Sequence, residues 1–200
     1  MIIDALDKTI QIKIVYFGPA MSGKTTSLKA LFNHFGKKKE VASVESTVGR
    51  TLFFDYGTIN FQNDNWKLKI HIYSTTGQDF YVITRPITLR AVDGIIFVVD
   101  SQKDVYERNV ISWNELNTYF GDTLINLPKI LAFNKQDLLN KFSTSIFLKD
   151  IDFHLLRNIY TTKTIALNGE GILESFEKIL SLVFKELYGS QMLFNLNYEN

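Results

Sequence analysis

The stretch Gly18-Pro19-Ala20-Met21-Ser22-Gly23-Lys24-Thr25 constrains this chain more than any other. It reads G-x-x-x-x-G-K-T and stands between the apolar run of residues 10–17 and a helix-like stretch over residues 25–35. A glycine-punctuated turn between strand and helix points several backbone N–H groups into one concavity. The helix behind it adds its unpaired N-terminal donors and the positive end of its dipole. Such a turn is a phosphate cradle. Lys24 is placed to reach the β- and γ-phosphates as a point charge, and the Thr25 hydroxyl to ligate the Mg²⁺ that screens their repulsion. The motif predicts a site for a nucleoside triphosphate.

Two hundred residues, 46% of them apolar, suffice for one α/β domain with a substantial core. The formal charge of +1 gives no field for gripping a polyanion. The one basic run, Lys37-Lys38-Lys39, falls in a predicted loop, so nucleic acid is not expected as a partner. Without cysteine there are no disulfides, thiolate metal sites or S-acylation. No apolar stretch approaches the ~18 residues that span a bilayer, and the N-terminus lacks a signal-peptide pattern. Ile2 and the closing Tyr198-Glu199-Asn200 lack the signatures of myristoylation and prenylation. The expectation is a cytoplasmic protein with no lipid anchor and no transmembrane segment.

Residues 10–17 read as a strand entering the middle of a sheet, and Leu28, Leu31, Phe32 and Phe35 recur at helical spacing until Gly36. Residues 37–49 are polar and reach about the ~12-residue length above which a loop is usually functional or mobile. Residues 51–61 and 66–73 read as strands joined by the turn Asn63-Asp64-Asn65, a hairpin that sets one antiparallel edge strand on an otherwise parallel sheet. Ser74-Thr75-Thr76-Gly77-Gln78-Asp79 then follows a strand's C-terminal end, where ligands bind in open α/β sheets. Beyond it come a short helix over 84–91, a buried strand over 94–100, a helix over 103–120 and a strand over 128–133. A helix over 147–157, a strand over 160–166 and a long helix over 172–187 complete the count. Residues 188–200 carry apolar side chains without a clear period. Asp100 imitates the acidic Mg²⁺-ligand strand end of other phosphate-loop enzymes, but Asp100-Ser101 more simply supplies the N-cap of the next helix.

A phosphate cradle does not choose a base, whereas Asn134-Lys135-Gln136-Asp137 can. The Asp137 carboxylate can accept from both N1–H and the N2 amine of guanine, a pairing that adenine lacks because its N1 is an acceptor. The Lys135 stem can lie over the base while Asn134 ties this loop to the phosphate loop.

With these motifs in this order, the sequence resembles the Ras-like small GTPases over nearly its whole length, and within them the MglA-type GTPases of bacterial gliding motility. The resemblance rests on Gly18-Pro19, Gly23-Lys24-Thr25-Thr26, Arg50-Thr51-Leu52-Phe53-Phe54-Asp55, Gly77-Gln78, Val92-Asp93-Gly94 and Val99-Asp100-Ser101-Gln102. It implies a three-layer phosphate-loop GTPase fold, a mostly parallel six-stranded sheet with one antiparallel edge strand and helices on both faces. The GTPase domain would cover residues 1–188, with 189–200 as a tail. GTP or GDP and Mg²⁺ would be bound by residues 18–26, Thr51, Gly77, Asn134, Lys135, Asp137, Ala166 and Leu167, with Thr25 and Thr51 on the metal. Gln78 would orient the attacking water beside Lys24, and Ala166 would offer its N–H to guanine O6. Arg50 would be an arginine finger in the same chain or a solvent-facing loop arginine. The implied partners are an effector and a GTPase-activating protein of the roadblock/longin-like kind.

Three positions depart from the pattern. Ser74 stands where most Ras-like proteins have an aspartate that holds a metal-bound water, and Asp55 is a candidate substitute. Ala20 replaces a glycine of the phosphate loop, which predicts slow hydrolysis. Leu167 replaces the lysine of the usual Ser-Ala-Lys loop, weakening one base contact. Two rivals stand beside the GTPase: a guanine-nucleotide-binding interaction module that barely hydrolyses, and a nucleotide kinase, for which the chain leaves little room for an arginine-rich lid.

Overall fold

The computed structural model describes residues 1–37, 42–45, 51–62, 65–75 and 85–196. Its strands are β1 (Ile2–Asp4), β2 (Thr9–Phe17), β3 (Ala42–Glu45), β4 (Thr51–Gln62), β5 (Lys67–Thr75), β6 (Gly94–Asp100), β7 (Lys129–Asn134) and β8 (Ile159–Lys163). Its helices are α1 (Lys24–His34), α2 (Arg85–Leu89), α3 (Tyr106–Phe120), α4 (Thr123–Asn126), α5 (Thr144–Asp150) and α6 (Ile172–Leu196).

All strands join one sheet in the order β3-β4-β5-β2-β6-β7-β8, with β1 on β2. The pairs β2·β5, β2·β6, β6·β7 and β7·β8 are parallel, while β4·β5, β3·β4 and β1·β2 are antiparallel. The six strands expected from the sequence therefore form the continuous centre, with β4 as their antiparallel edge. Two short strands enlarge it. β1 spans only three residues, too few for a periodic signal, and β3 lies in the polar stretch read as a loop.

Every residue of β6 is buried because helices cover both faces of the sheet. On one face Leu28, Leu31 and Phe32 of α1 and Phe176, Ile179 and Val183 of α6 pack on Ile14, Tyr16, Ile96 and Val98. On the other, Trp113 and Leu116 of α3 and Phe147 of α5 pack on Val15, Phe17, Phe97 and Phe133. Burying each of these large side chains stabilises the fold by about 1.5–3 kcal/mol before entropy is counted.

Three helices depart from their expected bounds. The stretch read as a helix over 103–120 opens with a 3-10 turn over Lys103–Val105 before α3 begins. The stretch read as a helix over 147–157 is α5 followed by a separate 3-10 turn over Phe153–Leu155, because Asp152 takes a left-handed φ of 52° that a continuous helix excludes. α6 is one helix of 25 residues, unbroken across position 188.

The topology sets the functional ends side by side. Asp100 at the end of β6 is in register with Asn134 at the end of β7, and β2, next to β6, ends at Phe17 just before the phosphate loop.

Candidate nucleotide site

The phosphate loop turns on two glycines. Gly18 has φ 137° and a Cβ there would come within 2.5 Å of the Val98 carbonyl oxygen. Gly23 has φ 103°, and its Cβ would lie 2.2 Å from Asn134 Nδ2. Neither position admits a side chain. Between them Met21 has φ 62° and is exposed, Pro19 O accepts from Ser22 N at 3.4 Å, and the buried Ser22 hydroxyl has no partner among the described residues. Thr26 follows in the first turn of α1.

Lys24 opens α1 but does not point into water. Its ammonium donates to Gly18 O at 2.9 Å and Pro19 O at 2.7 Å, and the residue is buried. Loss of hydration, reinforced by the Arg85 guanidinium, pushes its pKa down to about 7, while Asp55 and Glu115 pull the other way. Arg85 pairs with Glu115 of α3, and both groups lie close enough to bear on Lys24. No motif in the sequence singled out this pair.

Thr25 Oγ1 donates to Asp55 Oδ2 at 2.5 Å, and Asp55 is fully buried. Across the β4·β5 ladder Asp55 faces Ser74, whose buried hydroxyl has no partner among the described residues. One carboxylate and two hydroxyls, all oxygen donors, thus converge beside the phosphate loop. No group of three His, Cys, Asp or Glu among the described residues is placed to hold a metal on its own. The set fits Mg²⁺, which takes one or two carboxylates and completes its shell with water and phosphate oxygens. It does not resemble a self-sufficient protein cage.

At the other end of the cradle, the Asn134 side chain makes three hydrogen bonds. Its Nδ2 donates to Ser22 O at 2.7 Å, and its Oδ1 accepts from Thr164 Oγ1 at 3.1 Å and from Ala166 N at 3.0 Å. The Ala166 N–H expected to reach a guanine oxygen is thus already shared with Asn134. Lys135 takes φ 64° and sends its ammonium to Asp100 Oδ2 at 2.6 Å and Gln102 Oε1 at 2.9 Å. Asp100 therefore does not cap α3, which has no side-chain cap; it pairs with Lys135, a role that spacing alone did not reveal.

Lys135, Asp137, Asn134, Gly23, Thr26 and Ala166 share the wall of a cavity of about 180 Å³. Met21, Leu138, Ile165 and Leu167 also line it, Leu167 being 84% exposed. An adjoining cavity of about 380 Å³ runs along α1 and shares Thr26, Ala166 and Leu167. The structure thus gathers the phosphate loop and the Asn134-to-Asp137 loop at one end of the sheet. Ala20 lies in the loop, and Thr51 opens β4. Arg50, Gly77 and Gln78 lie outside the described residues. Among those described, no helix is long and apolar enough to cross a membrane.

Comparison with known proteins gives this geometry a lineage. The chain is 33% identical over 186 residues to the mutual gliding-motility protein MglA of Myxococcus xanthus, covering 90% of this chain and 94% of that one. It is 27% identical to the Ras-related protein Rab-5B of Plasmodium falciparum, over 87% of this chain and 78% of that protein. It is also 27% identical to the GTP-binding protein ypt3 of Schizosaccharomyces pombe, over 86% and 76%. The sequence profile of the ADP-ribosylation factor family matches residues 1–183. A match of that extent, on a sheet that carries a phosphate loop and an Asn-Lys-Gln-Asp loop at one end, shows that the chain belongs to the Arf/Ras-like small GTPases, alongside the MglA type.

Proposed function

We propose that this protein is a GTP-binding and GTP-hydrolysing molecular switch that works in the cytoplasm. The observation that carries the reading is the Asn134 side chain, whose bond to Ser22 O ties the phosphate loop to the loop that lines the neighbouring cavity. Phosphates lie in the Gly18-to-Thr26 loop, and guanine lies between the Lys135 stem and Leu167 with Asp137 accepting from its N1–H and N2 amine. Mg²⁺, when bound, neutralises charge on the β- and γ-phosphates; Thr25 and Thr51 would hold it, and Asp55 would take the part of the aspartate that Ser74 replaces.

Phosphoryl transfer leaves the protein little covalent work, so positioning and charge neutralisation are its contribution. Lys24 leaves its two carbonyl partners for the phosphate oxygens. Gln78 orients the attacking water, Arg50 neutralises charge spreading onto the transferred group, and the Ala20 methyl keeps the unassisted rate low. Residues 45–51 and 75–84, which carry Thr51 and Gln78, exchange contacts with the terminal phosphate and so set the affinity for an effector. A GTPase-activating protein of the roadblock/longin-like kind sets the lifetime of the GTP state, and residues 189–200 serve as a tail outside the nucleotide domain.

Single-turnover GTP hydrolysis separates a switch enzyme from a binding module. Wild type is expected to hydrolyse GTP slowly, and Gln78→Ala and Arg50→Ala to fall well below it. Three identical near-zero rates would leave only nucleotide binding. Release of phosphate with no phosphorylated acceptor excludes a nucleotide kinase.

A further inference from the structure

We infer that Asp100 is a positioning residue for guanine-nucleotide binding: it acts through Lys135, holding the lysine stem as a fixed wall of the base cavity. The inference rests on the reading of that cavity as the guanine pocket. Asp100 itself does not line the cavity; its carboxylate, with a side chain only 4% exposed, meets Nζ of the wall residue Lys135 at 2.6 Å. Gln102 Oε1 takes a second proton of the same ammonium at 2.9 Å.

The carboxylate is held from behind. Asp100 Oδ1 accepts from Gln102 N at 3.2 Å, leaving Oδ2 aimed at the lysine. The fully buried Asn109 of α3 clamps the Asp100 backbone from both sides, accepting from its N–H at 2.8 Å and donating to its carbonyl at 2.9 Å. The next residue continues the splice. Ser101 Oγ accepts from Gln136 Nε2 at 2.8 Å, and Ser101 N donates to Asn134 O at 3.3 Å. The end of β6 therefore carries the base-reading loop, although none of its residues reads the base.

The physical consequence concerns entropy and direction. A lysine stem has four rotatable bonds, and one that first had to be ordered over a base would weaken binding by the freedom it loses. Here the head is anchored beyond the cavity and the left-handed backbone of Lys135 turns the chain at that point, so the stem is ordered before a nucleotide arrives. An apolar stem over a ring's face does not read exocyclic groups. Loss of the anchor must therefore weaken every purine nucleotide that uses the pocket by the same factor, and leave the phosphate contacts alone.

The test is the release rate of GDP and of inosine diphosphate from wild type, Asp100→Asn and Asp100→Glu, with thermal stabilisation by inorganic pyrophosphate measured on the same proteins. Asp100→Asn keeps shape and removes the charge, exchanging a charge-assisted bond for a neutral one, and is expected to release both nucleotides about fivefold faster. Pyrophosphate stabilisation should be unchanged, and Asp100→Glu should recover part of the loss. Gln102→Ala, which removes the second acceptor without touching the buried carboxylate, should speed release of both nucleotides in the same way but more weakly, with pyrophosphate stabilisation again unchanged. It keeps the test alive where Asp100→Asn does not fold.

GDP release equal to wild type in Asp100→Asn and in Gln102→Ala, with wild type binding GDP, overturns the role of Asp100 alone. Equal losses for nucleotide and pyrophosphate also overturn it, because they mark general damage. Wild type that binds no guanosine nucleotide removes the pocket's identity, and this inference with it.

Discussion

Asn134 Nδ2 and the Ser22 carbonyl meet at 2.7 Å, joining two loops that are 112 positions apart in the chain. Because the bond and its two companions at Asn134 Oδ1 are buried, Asn134→Ala orphans the Ser22 carbonyl, the Thr164 hydroxyl and the Ala166 N–H together. Each buried group left unmatched costs about 1–3 kcal/mol. Urea unfolding of Asn134→Ala should show a loss of at least one such increment, and GDP release should accelerate with it. A variant as stable as wild type would mean that the two loops hold their places without this link.

The closeness of Gly23 to the same side chain makes a second prediction. A Cβ at position 23 would sit 2.2 Å from Asn134 Nδ2 on a backbone of φ 103°. Gly23→Ala must displace Asn134 or unwind the loop, so nucleotide binding by calorimetry should be lost while the circular dichroism of the sheet is retained. Retained affinity would show that the loop can take another path.

Thr25 and Asp55, 2.5 Å apart, predict how the missing aspartate at position 74 is offset. Asp55→Asn removes the carboxylate that accepts from the Thr25 hydroxyl and should raise the Mg²⁺ concentration needed to slow GDP release by about tenfold, the scale expected when one partner of a metal ligand is lost. GDP release measured without Mg²⁺ should change little. An unaltered Mg²⁺ titration would place the metal's support elsewhere.

Lys24 predicts a pH dependence whose sign follows from its depressed pKa of about 7. In an unfolded chain lysine titrates near ~10.4. Between those values the unfolded chain keeps the proton and the nucleotide-free fold has lost it, so the Lys24 contribution to stability rises with pH across that window. Nucleotide phosphates favour the ammonium, so binding at pH 8 should take up a proton, and affinity should decline by up to about tenfold per pH unit above the free-site value. Lys129, also buried and lowered to about 8, shifts stability in the same direction. The difference between wild type and Lys24→Met isolates Lys24. Calorimetry in two buffers of unlike ionisation enthalpy measures the proton directly, and no uptake at pH 8 would contradict the account.

Much of the fold was legible because phosphate-loop sheets advertise themselves in local patterns. The buried run over Gly94–Asp100 and the helical spacing of Leu28, Leu31 and Phe32 need no tertiary knowledge. What escaped was non-local or short. β1 and β3 owe their existence to partners in β2 and β4, and the break at Asp152 lies in one dihedral angle. In the candidate site, the Asn134 loop could be picked out by residue type and spacing. The Asp100–Lys135 pair could not, since an aspartate at a strand's end looks the same whether it caps a helix or anchors a lysine 35 positions away. The Arg85–Glu115 pair is invisible for the same reason.

The central claim is that one pocket, spliced by Asn134, selects guanosine polyphosphates. Isothermal titration of the purified, nucleotide-stripped protein with GDP, GTP, ADP and ATP in the presence of Mg²⁺ tests it most directly. The account predicts tight uptake of both guanosine forms and at least about a hundredfold weaker uptake of the adenosine forms, since adenine leaves the Asp137 carboxylate unmatched. Equal affinity for the two bases, or no uptake of either guanosine nucleotide, would contradict it.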